Sequence, residues 1–279
     1  MSREIISAKT IKEWQALPPA TQQVILSNIR LVPRLAKWLE DMENRPKLME
    51  PIQSVCHRCD GTGNVTHYPR LPGVHASKLG SPCNLSVYMM MEGVPEKEDR
   101  DLDNRLTLAL GTAAHQMIQS YGRKGAWGPH YKDEVRISED IQEIAHKYFL
   151  ESSADADNLL IIEDVPGPIY EVGIIHEYKT IKSSNFKELR GPKDDHKVQA
   201  MLYAAALDRP VVVFMYLNKD TGSLLDYPVA FDTKVWGALE GRLALLNEYY
   251  DRHEAPPPNP SFSNCRWCSY KYCCQYAHK

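Results

Sequence analysis

The sequence predicts an α/β fold, a mixed central sheet flanked by helices. Three observations predict it. Apolar residues recur at helical spacing over residues 8–45, 105–121, 194–207 and 233–252. The period shortens to that of strands around 169–180 and 211–217. The two kinds of segment alternate along the chain, which is the pattern of helices packed on a sheet.

Each element has its own signal. In 8–45, Ile11, Trp14, Leu17, Val24, Ile25, Ile29, Leu35 and Trp38 mark helical faces, interrupted at Pro18-Pro19. Residues 46–82 are loop-like and carry Cys56-x-x-Cys59. A helical segment is expected over 75–93, with Cys83 on it. In 105–121, Leu106, Leu110, Ala113, Ala114, Met117, Ile118 and Tyr121 form one apolar stripe. Ile169 to Thr180 reads as a strand after Pro166-Gly167-Pro168. Val211 to Leu217 is a continuous apolar run before the turn residues Asn218 to Gly222, as in a buried strand entering a hairpin. Val235, Trp236, Leu239, Leu243, Leu246 and Tyr249 define the last helix. The expected organisation is a helical N-terminal extension, 1–70, followed by one α/β domain, 71–279.

Composition excludes several classes. The 279 residues are 43% hydrophobic and 25% charged, ordinary for a globular protein that can bury a full core. No run of 18 apolar residues is present, so no membrane span is expected. No secretory h-region follows Met1, and a cytoplasmic protein is expected. A net charge of −3 gives no global pull toward nucleic acid, so any such binding must be local.

The charged and polar residues in the centre form a pattern. Glu177 and Lys179 stand two apart on a strand and share a face. An acidic cluster, with Asp155 and Asp157, lies upstream. His115 falls inside a helix. Gln199 and Tyr203 are four apart on the next helix and share its face. A solvated strand face with a salt bridge would explain Glu177 and Lys179 alone.

In this order the set resembles the RecB-like branch of the PD-(D/E)XK nuclease superfamily. In that family a helical histidine is followed by an aspartate on a strand, a D/E-x-K strand and a Q-x-x-x-Y helix. The resemblance covers about residues 75–279 and implies a restriction-endonuclease-like core. It implies catalytic roles for Asp155, Glu177, Lys179, Gln199 and Tyr203. The implied ligands for Mg²⁺ or Mn²⁺ are His115, Asp155, Glu177 and the Tyr178 carbonyl. Hard cations suit such oxygen donors, and an imidazole leans the set toward Mn²⁺. Lys179 would then orient or deprotonate water, or stabilise the phosphate in the transition state. The family's Gly-x-x-Asp is departed from at Ser152, and Asp157, Glu163 or Asp164 remain alternatives to Asp155.

Seven cysteines are present, and four of them, Cys265, Cys268, Cys273 and Cys274, fall near the end of the sequence. Close spacing in a reducing compartment points to a metal or an iron–sulfur cluster rather than disulfides. One cysteine before the core and three after it resembles the iron–sulfur nucleases of CRISPR adaptation and of helicase–nuclease complexes. That resemblance implies a structural 4Fe–4S cluster on Cys83, Cys265, Cys268 and Cys274. Zinc on the same four residues, and Cys273 in place of Cys274, stay open. Cys56-x-x-Cys59 resembles one half of a zinc repeat, and two uncoordinated loop cysteines are the alternative.

Lys182, Lys187, Arg190, Lys193 and Lys197 lie between the Glu-x-Lys strand and the Gln/Tyr helix, where phosphate neutralisation would give salt-dependent DNA binding. The resemblance therefore implies a metal-dependent DNA exonuclease. It would act on single strands or ends in recombination, repair, phage replication or CRISPR adaptation, beside a helicase or recombination partner protein. No G-x-x-x-x-G-K-[ST] motor motif is present. The alternative is a non-catalytic DNA-binding or adaptor protein on the same fold.

Overall fold

The computed structural model describes residues 3–43, 73–96, 102–138, 143–148, 151–162, 168–258, 265 and 268–274. In chain order these form β1 (Ile5–Ala8), α1 (Ile11–Ala16), α2 (Pro19–Asn28), α3 (Leu31–Glu43), α4 (Asn84–Met91), α5 (Leu102–Arg123), β2 (Tyr131–Ser138) and α6 (Glu143–Tyr148). They continue with β3 (Glu151–Ile162), β4 (Ile169–Ile181), α7 (Ser183–Glu188), α8 (Asp194–Ala206), β5 (Val211–Asn218), β6 (Leu224–Ala230) and α9 (Thr233–Asp251).

The sheet runs β2-β3-β4-β5-β6, with β1 also paired to β4. β4 is its axis. It pairs antiparallel with β3 on one edge. On the other edge it pairs parallel with β1 over Ile169 to Val172 and with β5 over Ile174 to Ile181. The sheet is therefore mixed and the fold is α/β.

Alternation along β4 and β5 divides the core between two layers. Ile175, Phe214 and Tyr216 face α4, α8 and α9, joining Leu239, Leu243 and Leu246. Val172, Ile174, Val213 and Met215 face the other way, toward Trp14, Ile25 and Leu35. Because both faces of β5 are covered, its sequence is continuously apolar instead of alternating. In α8 every residue from Ala200 to Ala206 is buried, and four of those seven are alanines, so the helix sits close to the sheet.

The N-terminal segment is not purely helical. Ile5–Ala8 adds a strand to the central sheet, and α1–α3 form the layer over one of its faces. A capping box starts α1, with the Glu13 amide donating to Thr10 Oγ1 and the Thr10 amide to Glu13 Oε2. Pro19 opens α2 at a position where a missing N–H costs nothing. The first amides of α3, Leu31 and Val32, donate to the Asp226 carboxylate on β6, tying the layer to the sheet edge.

The stripe expected on α5 is only partly buried. Ile118 is 2% exposed, but Leu106, Leu110 and Met117 are 54%, 65% and 44% exposed. The helix turns a narrower face, Ile118, Gln119 and Gly122, to the sheet. Cys83 lies just before α4, at its N-cap. Cys56 and Cys59 lie outside the described residues, as do Glu163 and Asp164. No helix among the described residues is long and apolar enough to cross a membrane.

Candidate active site

A cavity of about 590 Å³ opens between α5, β2, β4, α8 and the β5–β6 turn. β4 supplies its floor. Glu177 and Lys179 are adjacent on one face of the strand, and Lys179 Nζ lies 2.6 Å from Glu177 Oε1. The Glu177 side chain is only 7% exposed and the Lys179 side chain 21%, so the pair is largely withdrawn from water.

The pair continues into α8. Lys179 Nζ donates to Gln199 Oε1 at 2.9 Å, and Gln199 Nε2 donates to the Tyr203 hydroxyl at 3.0 Å. Helical spacing stacks Gln199 and Tyr203 on the face turned to β4. Glu177, Lys179, Gln199 and Tyr203 thus form one hydrogen-bonded chain. An ammonium has three donors. Two are taken by Glu177 and Gln199, which leaves one for a water or a phosphate oxygen.

His115 enters from α5. Its ring meets the Tyr178 ring edge-on at 5.3 Å. Burial lowers its pKa, opposed by the negative charges of Glu134 and Glu177. The helix approaches β4 closely here, since a Cβ on Gly111 would stand 3.2 Å from Thr180 Oγ1. The Tyr178 side chain lies on the opposite face of β4 from Glu177, where its hydroxyl accepts a hydrogen bond from Trp127 Nε1 at 2.7 Å. Any part it takes in metal binding falls to its backbone carbonyl. His176 stacks on Trp127 beside it, with centroids 6.0 Å apart.

The aspartates are placed by strand register. Asp155 pairs with His176 across the β3–β4 ladder, one position short of Glu177, and Asp157 pairs with Ile174. Asp155 is thus the nearer of the two to the Glu-x-Lys positions.

Among the described residues, the expected DNA-contacting cations do not line the cavity. Lys182 and Lys193 are the N-caps of α7 and α8. Arg190 donates to the Lys187 carbonyl, and Lys197 pairs with Asp194. Lys219 lines the cavity instead. It sits in the β5–β6 turn, which Asn218 and Asp220 bind to Ser183.

His196 was also not expected. It lies one turn before Gln199, its Nδ1 is 2.8 Å from the Tyr216 hydroxyl, and that hydroxyl accepts from the Lys193 amide. Burial first, then the nearby Lys179 charge, push its pKa down to about 4, so it stays neutral at ordinary pH. His196 and Glu134 escape a sequence reading because neither belongs to a spaced motif.

Among the described residues no cysteine lines the cavity. Cys83 is buried, while Cys265, Cys268 and Cys274 are partly buried. Burial raises the Cys268 pKa, a hydrogen bond with the Tyr270 backbone opposes it, and the charges of Cys83, Cys274 and Cys265 raise it further. Cys273 is exposed, with its thiol turned to the Tyr270 carbonyl. The tail is docked by Tyr270, whose hydroxyl donates to Glu96, and by Tyr272, which donates to the Pro95 carbonyl. The Arg242 guanidinium lies beside Cys83, held by Asn84 and the Leu79 carbonyl, and its buried Nη2 has no hydrogen-bond partner among the described residues. A buried cation there favours thiolate ligands.

Among the described residues no three His, Cys, Asp or Glu side chains stand close enough to form a finished metal site. The donor types nevertheless fit. Carboxylates with an imidazole suit Mg²⁺ or Mn²⁺, and four thiols suit an iron–sulfur cluster or zinc.

No protein-family profile matches the sequence, and no curated protein does. Three solved structures resemble the fold at a distance. SSO0001 aligns at a TM-score of 0.42 and 16% identity, over 87% of this chain and 94% of that one. LHK-Exo in complex with dAMP aligns at 0.46 and 12% identity, over 66% of this chain and 90% of that one. LHK-Exo, described as an alkaline exonuclease from Laribacter hongkongensis, aligns at 0.39 and 12% identity over the same shares, 66% and 90%. At this distance the site's own geometry remains the ground for assigning a function.

Proposed function

We propose that this chain is a metal-dependent deoxyribonuclease of the RecB-like PD-(D/E)XK type, cutting DNA from its ends. The observation that carries the reading is the chain Glu177–Lys179–Gln199–Tyr203, set in one cavity with His115. A solvated salt bridge would have no reason to be buried and braced by two further side chains.

The ligands would be His115, Asp155, Glu177 and the Tyr178 carbonyl. Bound Mg²⁺ or Mn²⁺ supplies charge neutralisation and a more acidic water. Lys179 directs its remaining N–H at the attacking water or a phosphate oxygen. Gln199 keeps the ammonium in that direction, and Tyr203 keeps the amide of Gln199 from flipping. Lys219 would meet the phosphate of the next nucleotide from the cavity rim, with Lys182 to Lys197 extending a basic track along α7 and the start of α8.

The test is cleavage of end-labelled single- and double-stranded DNA with Mn²⁺ or Mg²⁺. Wild-type protein is expected to shorten the label, EDTA to stop it, and Glu177→Gln to lose cleavage while still melting as a cooperatively folded protein in EDTA. Undiminished cleavage by Glu177→Gln would sink the assignment.

The four cysteines are proposed to hold a 4Fe–4S cluster that fixes the tail against α4. Protein purified without oxygen is expected to be brown, and Cys268→Ser to be colourless and less stable. A colourless wild type carrying zinc would replace the cluster with the zinc alternative.

A further inference from the structure

Glu134 stands out in β2. The ladder with β3 breaks register between Lys132 and Val135, and within that bulge Glu134 has φ 50°. Left-handed backbone is unfavourable for a residue with a Cβ, and such residues persist only where their surroundings over-determine them. Bulges beside functional sites commonly re-aim a side chain.

The surroundings here do over-determine it. Gln119, itself 4% exposed, donates to Glu134 Oε1 at 3.0 Å. Arg123, one turn further along α5, pairs with Asp133. Between them, Gly122 leaves room for the Tyr131 ring, which an added Cβ would approach to 2.4 Å. Three consecutive contacts therefore lock the bulge onto α5. The result is a carboxylate on the cavity wall contributed by β2, in the cavity that also holds His115 and Glu177. A glutamate that served only the sheet would not need a strained backbone aimed into a polar cavity.

We propose that Glu134 is a further carboxylate of the cation site, holding the water shell of a divalent cation from the β2 wall. This inference rests on the metal-dependent reading above. Mg²⁺ in particular keeps several waters and takes only one or two carboxylates directly, so a wall carboxylate acts through water. Outer-shell partners of this kind typically change metal affinity by about 10–100-fold.

Glu134→Gln separates this role from a structural one, because the amide oxygen still accepts from Gln119 while the charge is lost. Mn²⁺ binding is measured on the purified full chain by titration with electron paramagnetic resonance, alongside melting in EDTA. The expected result is Mn²⁺ affinity weakened at least about tenfold, with the metal-free melting temperature unchanged and Glu134→Asp intermediate in affinity. Wild-type Mn²⁺ affinity in Glu134→Gln would overturn the inference and leave the nuclease reading standing. A wild-type chain that binds no Mn²⁺ would overturn both.

Discussion

Lys179→Ala is expected to abolish cleavage and to destabilise the fold, and a second substitution should separate the two effects. Removing the ammonium leaves Glu177, whose side chain is 7% exposed, without its partner at 2.6 Å, and leaves Gln199 Oε1 without its donor. Breaking a fully buried pair costs about 3–5 kcal/mol. Because the Lys179 side chain is 21% exposed, water reaches the gap, and the expected loss is about 2–3 kcal/mol. Cleavage should fall by roughly 10²–10⁴-fold, the range for a group acting on the water or the phosphate in the transition state. In the double variant Glu177→Gln/Lys179→Ala the uncompensated charge is gone, so most of the stability should return while cleavage stays absent. Chemical denaturation and single-turnover cleavage read the two quantities separately. A double variant no more stable than Lys179→Ala would mean that the pair serves packing rather than charge balance.

Among the described glycines, Gly173→Ala is expected to be the most damaging alanine substitution, without touching the active site. Where β1 ends, the chain turns over β4, and a Cβ on Gly173 would stand 2.3 Å from the Lys9 carbonyl oxygen and 2.9 Å from Arg209 Cδ. The first obstacle is backbone and cannot rotate away. Overpacking of this kind typically costs about 1–3 kcal/mol and occasionally more, and the backbone obstacle puts Gly173→Ala near about 3 kcal/mol. At about 2–4 °C per kcal/mol for chains of this size, melting should fall by roughly 6–12 °C. Gly241→Ala is the control. It lies within α9 with nothing near its added Cβ, and it should stabilise by about 0.5–1 kcal/mol. Equal melting temperatures for the two variants would mean that β1 does not dock on β4 as described.

Much of the fold is legible because its strongest elements are locally determined. β5 is an unbroken apolar run, and α9 carries Leu239, Leu243 and Leu246 at helical spacing. β3 is not legible in this way. Ser152 to Asp157 is small and acidic, a composition that is poor in strands. It becomes a strand only because β2 and β4 pair with it from both sides. β1, four residues long, is similarly defined by its distant partner. The site divides on the same line. Glu177 with Lys179, and Gln199 with Tyr203, share faces at fixed local spacing and so announce themselves. Glu134 and Lys219 arrive through a bulge and a hairpin turn, whose direction depends on tertiary contacts.

The pairing of β1 has a consequence for synthesis on the ribosome. Arg3 donates to the Pro168 carbonyl at the mouth of that pairing, 165 residues further along. At roughly 5–20 residues per second, about 10–30 s pass between the emergence of the first strand and that of its partner. Throughout that interval Ile5, Ile6 and the faces of α1–α3 have no sheet to rest on. Slowed translation before β4 should therefore lower soluble yield, and a nascent-chain chaperone should restore it.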